Sequence, residues 1–148
     1  MNNYVDYASF AALIDDDEHS AHLLTRTLVA QGAPGIQFYG DAAAALQRLK
    51  AVLGDRSAAR PALLIVDLKA HSGATLEFLS SIQQLIRQSG VPLVVLAPKL
   101  DEERRRALFD HGAAGVFVRH ADRDAYRGVA ADIVDFWAQT ERSEAVGM

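Results

Sequence analysis

Cysteine is absent from the 148 residues, while tryptophan, methionine and proline number only one, two and four. Without cysteine no disulfide framework is available, and the expected compartment is the cytoplasm. Positive charge is also short: 15 Lys and Arg stand against 19 Asp and Glu, a net charge of −4. That balance lacks the basic footprint of proteins that bind nucleic acid or anionic membranes nonspecifically, so neither is an expected partner. No apolar run approaches the roughly 18 residues of a spanning helix, and the opening MNNYVDYASF has neither the basic nor the apolar stretch of a signal peptide. What is present suffices for one domain, since chains of about 150 residues bury some 68–70% of their unfolded surface and half of these residues are hydrophobic.

Five short apolar runs read as strands: Ala11 to Ile14, Ile36 to Tyr39, Ala62 to Val66, Pro92 to Ala97 and Gly115 to Val118. ALLIV and PLVVLA are apolar throughout, as suits strands of a parallel sheet covered on both faces. Between them lie helical patterns. Asp41 can cap AAAALQRLKAVL, in which Leu46, Leu49 and Leu53 share a face; Leu76, Leu79, Ile82 and Ile86 form a stripe in a third helix, and Val129, Ile133 and Phe136 another in the last. Gly112 reads as the stop of DEERRRALFDHG, and Gly54 to Pro61 as a loop. The alternation predicts an α/β fold, a doubly wound five-stranded parallel sheet of order 2-1-3-4-5 in (βα)5, flavodoxin-like arrangement. A single domain over 1–148 is expected, with a core over about 10–139, flexible tails at 1–8 and 142–148, and no output domain.

In such a sheet the ligand site lies beyond the carboxyl ends of the strands, where strand order reverses. Here that is between strands 1 and 3. Strand 1 ends in Asp15, Asp16 and Asp17 and strand 3 in Asp67. Carboxylates gathered there repel one another unless a hard cation or a proton intervenes, which points to Mg²⁺ in an open, oxygen-lined site. Asp17 also suits the cap of the first helix.

AALIDDDEHSAHLL, PALLIVDLKAHSGATLEFL and VPLVVLAPKLDEERRRALFDHGAAGVFVRH together resemble the receiver domains of two-component response regulators, the CheY-like family, over residues 10 to 139. The ending IVDFWAQT resembles stand-alone receivers that partner phytochrome-type histidine kinases. The resemblance implies Asp67 as phosphoacceptor, Asp16 as a direct Mg²⁺ ligand, Asp15 as a ligand through water, and the Lys69 backbone carbonyl as a further ligand. It implies a histidine kinase and a downstream protein as partners, and no enzymatic activity beyond the chain's own phosphorylation and dephosphorylation. The carboxylate would attack phosphorus in line while the metal offsets charge on the phosphoryl oxygens.

The departures from that family concern signalling. Ala97 stands where a phosphate-binding Thr or Ser is usual, and Val116 where an aromatic switch is, so the usual relay is not expected. Arg119 replaces the lysine that reaches the phosphoryl group, keeping the charge with a different reach. His120 replaces a proline, so a trans Arg119–His120 bond is expected. His71 and Thr75 alter the loop after Asp67. Lys69 and Lys99 read as solvated loop lysines, the histidines and Arg104 to Arg106 as surface groups. Tyr126, Ala130, Ile133 and Trp137 form a second apolar stripe on the last helix, for which weak homodimerisation through helices 4 and 5 is one use. Two other readings of the whole stand beside the phosphoacceptor: a degenerate receiver that binds protein without phosphorylation, and a hydrolase, since Asp15 and Asp17 resemble the paired aspartates of haloacid-dehalogenase phosphatases.

Overall fold

The computed structural model describes residues 9–147. In chain order the elements are β1 (Ala11–Asp15), α1 (Glu18–Ala30), β2 (Ile36–Gly40), α2 (Ala42–Leu53), β3 (Leu63–Asp67), α3 (Ala74–Ser89), β4 (Leu93–Ala97), α4 (Glu102–Asp110), β5 (Gly115–Val118) and α5 (Arg123–Gly147). All strand pairs are parallel and the order is β2-β1-β3-β4-β5. This is the expected sheet.

Helices on both faces explain the unbroken apolar runs. Every residue of β1, β3 and β4 is buried. One face, with Ile14, Leu64, Val66 and Val95, packs under Leu49 of α2, Leu79 and Ile82 of α3 and Leu108 of α4. The other, with Leu13, Ile65 and Leu96, packs under Leu24 and Leu28 of α1 and Ile133 and Trp137 of α5. The edge strand β2 is covered unevenly, which leaves Gln37 and Phe38 exposed.

Aspartates start the helices. Asp17 accepts from the N–H groups of His19 and Ser20, Asp41 from Ala44, and Asp101 from Arg104, each satisfying donors that a first turn leaves free. α4 stops where Gly112 adopts φ 110°, a left-handed conformation that costs glycine little. The Arg119–His120 bond is trans, there being no cis peptide among the described residues.

Two expectations are corrected. The residues from 142 expected as a tail instead continue α5 through Gly147, because ERSEAV holds no helix breaker. Residues 1–8 lie outside the described residues. The second stripe of α5 is core: Ala130, Ile133 and Trp137 are fully buried, and Tyr126 packs against the same cluster. Homodimerisation through helices 4 and 5 therefore loses the exposed apolar face that motivated it. Val129 and Phe136, expected in the core stripe, flank it, Phe136 meeting Phe117 edge to face at 6.3 Å.

Trp137 supplies the test of this packing. Its indole Nε1 is buried without a hydrogen-bond partner. Trp137→Ala is expected to cost about 3–5 kcal/mol in urea denaturation. Trp137→Phe is expected to cost clearly less, because it keeps most of the ring while removing an unpaired donor whose burial costs about 1–3 kcal/mol.

Candidate functional site

β1 and β3 are neighbours in register, so Asp15 lies directly opposite Asp67 at their carboxyl ends. Both strands are buried, and their last residues are buried with them: Asp15 is 1% and Asp67 2% exposed. Two like charges held side by side away from water are unfavourable unless counter-charges and donors reach them. Two cations do.

Arg119 follows β5 and reaches across β4. Its Nε donates to Asp67 Oδ1 at 2.8 Å and its Nη2 lies 2.7 Å from the same oxygen, while Nη2 also donates to the Leu96 carbonyl at 3.2 Å. Its own N–H donates to the Ala97 carbonyl at 2.7 Å, which fixes the base of the side chain on β4. Arg119 therefore stands at the position read for it.

Lys69 corrects the sequence reading. Its side chain is no solvated loop lysine: Nζ lies 2.7 Å from Asp15 Oδ1, 3.3 Å from Asp67 Oδ2 and 3.9 Å from Asp16 Oδ1. It also donates to the Asp67 carbonyl at 2.9 Å. Asp16 in turn fastens the loop, its Oδ2 accepting from the N–H groups of Lys69 and Ala70 at 2.8 and 2.7 Å. Lys99 and His120 are exposed, as expected.

Asp15 Oδ1 also accepts from the N–H of Asp17, whereas Asp15 Oδ2 is buried with no partner. Burial pushes the Asp15 carboxyl above the usual range; the hydrogen bond from Lys69 opposes this and the neighbouring Asp67 charge adds to it. The donor chemistry of Asp15, Asp16 and Asp67 is that of a hard divalent cation. Their arrangement is different: it closes around the Lys69 ammonium, and among the described residues no three His, Asp or Glu side chains are disposed to hold a metal ion.

Ala97 is buried at the end of β4, and Val116, opposite Val95 in β5, packs against the core beneath α4. A groove of about 470 Å³ opens beside them, bordered by Lys69, Ser72, Thr75, Pro98 and Arg119. Two nearby residues were not read from the sequence as neighbours of the site. Ser20 of α1 donates from Oγ to Asp67 Oδ2 at 3.4 Å, and only its spacing one turn beyond the acidic run hints at this. Tyr126 of α5 feels the site electrostatically: its phenol is pushed up to about 12 by burial first, then by the charges of Asp67 and Asp15, with Arg119 opposing.

That phenol gives a pH prediction. A folded-state value above the ordinary 10 means that the neutral ring's contribution is fully present below pH 10 and is lost as pH rises through about 12. Stability is expected to fall over that window more steeply in the wild type than in Tyr126→Phe, with one late tyrosinate absorbance step missing from the variant.

A scan of protein-family models and a search of curated proteins give no match to the chain. Solved structures do match. The Mn²⁺-bound form of the response regulator Rcp1 is 20% identical at a TM-score of 0.70, over 86% of this chain and 93% of that one. The phosphorylated cyanobacterial phytochrome response regulator RcpA is also 20% identical, at a TM-score of 0.68 over 88% and 94%. A response regulator from Hahella chejuensis is 18% identical at 0.69, over 87% and 94%. With its strand order and five covering helices, the chain has the CheY-like fold of response-regulator receiver domains.

Proposed function

We propose that this chain is a response-regulator receiver that accepts a phosphoryl group from a histidine kinase on Asp67 and signals by changing which protein it binds. The observation that carries the reading is the Asp67 carboxylate, buried at the carboxyl end of β3 where strand order reverses, with a guanidinium on one oxygen and an ammonium on the other. In the transfer, a carboxylate oxygen of Asp67 forms a bond to phosphorus as the bond from phosphorus to the donor imidazole nitrogen breaks. An acyl phosphate and a free imidazole result.

The chain's own residues position and neutralise. Arg119 can follow its contact from the Asp67 carboxylate to a phosphoryl oxygen, using a planar fork with donors to spare. Lys69 carries a second positive charge on the loop beside the acceptor, and Ser20 offers a neutral donor from α1. Asp15, Asp16, Asp67 and the Lys69 carbonyl would hold Mg²⁺, which supplies further charge neutralisation in a loose transition state. A kinase of the phytochrome-associated type fits the likeness to RcpA. Catalysis by the chain extends only to its own phosphorylation and dephosphorylation, in the cytoplasm.

A second reading, a receiver that binds its partner without phosphorylation, is favoured by the ammonium that already occupies the acidic pocket and by Ala97 and Val116. Intact mass after incubation with acetyl phosphate and Mg²⁺ separates the two. One added phosphoryl group in the wild type and none in Asp67→Asn is the expected result; no addition to either favours the second reading.

The switch is expected to differ from that of relatives. Ala97 has no hydroxyl to draw toward a phosphoryl oxygen, so a charge-stabilised hydrogen bond worth about 1.5–3 kcal/mol is missing from the shift between states. Amide chemical-shift changes with beryllofluoride and Mg²⁺ are expected to concentrate around α1, α3 and the loop from Lys69 to Ser72. Changes from Ala97 to Gly112 are expected to be small, and to grow in Ala97→Thr; shifts there as large as those at the Asp67 loop would contradict it.

A further inference from the structure

The fullest set of contacts in the acidic site belongs to a side chain with no role in the transfer as read from sequence. Three oxygens surround Lys69 Nζ within hydrogen-bonding distance: Asp15 Oδ1 at 2.7 Å, the Asp67 carbonyl at 2.9 Å and Asp67 Oδ2 at 3.3 Å. An ammonium has three donors and no acceptor; two of them bond Asp15 Oδ1 and the Asp67 carbonyl, and Asp67 Oδ2 is held as an ion pair. Asp16 Oδ1 at 3.9 Å completes a ring of three carboxylates around one compact positive charge. Asp15, Asp16 and Asp67 are also the side chains that would hold a divalent ion.

The ammonium and a divalent ion cannot share those oxygens. Both would sit at contact distance from Asp15 and Asp67, which brings two cations together in a pocket whose carboxylates are nearly dry. The lysine is nevertheless able to leave. It lies on a loop, its side chain is 26% exposed, and it borders the open groove beside Ser72, Thr75 and Pro98. Its backbone N–H stays fastened to Asp16, so departure of the side chain does not require the loop to unfold. Asp15 Oδ2, buried and unpartnered, is a carboxylate oxygen that the ammonium leaves free.

We infer that the Lys69 ammonium is the resident cation of the acidic site, and that a divalent metal ion binds only by displacing it into the neighbouring groove. The inference rests on the metal-binding part of the proposed function and on no phosphoryl transfer. It gives the metal-free protein a counter-charge of its own at the site, and it sets a threshold of divalent ion below which the site stays closed by its own chain. Metal entry then has a mechanical consequence. It frees the loop after Asp67 from Asp15 and delivers a flexible cation to the groove beside Arg119.

The test is Mg²⁺ titration calorimetry on the full chain at fixed pH and ionic strength, comparing wild type, Lys69→Met, Lys69→Gln and Lys99→Met. Both Lys69 variants are expected to bind Mg²⁺ at least about tenfold more tightly, since the competitor is gone, with Lys99→Met unchanged as a control for overall charge. In parallel, the wild-type urea midpoint is expected to be nearly the same in EDTA and in Mg²⁺. The Lys69 variants are expected to lose stability in EDTA and recover it in Mg²⁺. Equal affinities in wild type and both Lys69 variants, or an equal gain in Lys99→Met, overturn the inference while leaving a metal site standing. Absence of binding in every form overturns both, and phosphoryl acceptance by Asp67, read by mass, is judged separately.

Discussion

The structure depends on one electrostatic constraint: two aspartates buried side by side at the ends of adjacent strands must be charge-compensated from within the chain. Asp15 and Asp67 face each other across a parallel pair and have almost no water. The cost of burying such charges is offset only where good geometry supplies counter-ions and hydrogen bonds. Arg119 comes from the end of β5, on the far side of β4, and Lys69 from two residues beyond Asp67. Asp16 holds the loop that carries Lys69. Loops after β1, β3 and β5 are thereby tied to a single cluster. Burial, with the neighbouring Asp67 charge, still holds the Asp15 carboxyl above the usual range, against the hydrogen bond from Lys69.

The sheet creates this constraint as well as housing it. β1 and β3 are apolar and covered on both faces, so any residue at their carboxyl ends is presented in a crevice walled by protein. Parallel strands bring their ends to the same side, and the reversal of order between β1 and β3 leaves that crevice open to a ligand. The caps at Asp17, Asp41 and Asp101 then start helices close behind the strands or their loops, keeping the connections short. Site and scaffold share residues: the carbonyls of Leu96 and Ala97 end β4 and also anchor Arg119.

Much of this was legible before the structure. Strand runs, helix caps and the parallel sheet follow from local rules, because apolar continuity, aspartate caps and βα alternation each have one dominant structural solution, whereas strand order had to be chosen among doubly wound arrangements. Asp15, Asp16 and Asp67 were legible because strand ends converge whatever the details of the loops, and Arg119 through the resemblance to receiver domains. Lys69 was not. Its backbone position is fixed by sequence, but whether a long flexible chain turns back onto the strand end or out to water depends on pocket shape and charge, and neither is periodic. The uncompensated charge of the aspartates was the available signal. On α5, the stripes through Val129 and through Trp137 are adjacent and both apolar, so periodicity alone did not decide which one faces the sheet.

The central claim is that Lys69 and the buried aspartates are energetically one unit, and a double-mutant cycle tests it most directly. The urea stabilities of wild type, Asp15→Asn, Lys69→Met and the double variant in EDTA give the coupling between the two side chains. Exposed ion pairs yield about 0–1 kcal/mol in such cycles. A coupling clearly above about 1 kcal/mol is expected, with the double variant more stable than the sum of the two single effects implies. A coupling near zero would mean that the ammonium and the carboxylate are neighbours without being partners, and that the aspartates are held without Lys69.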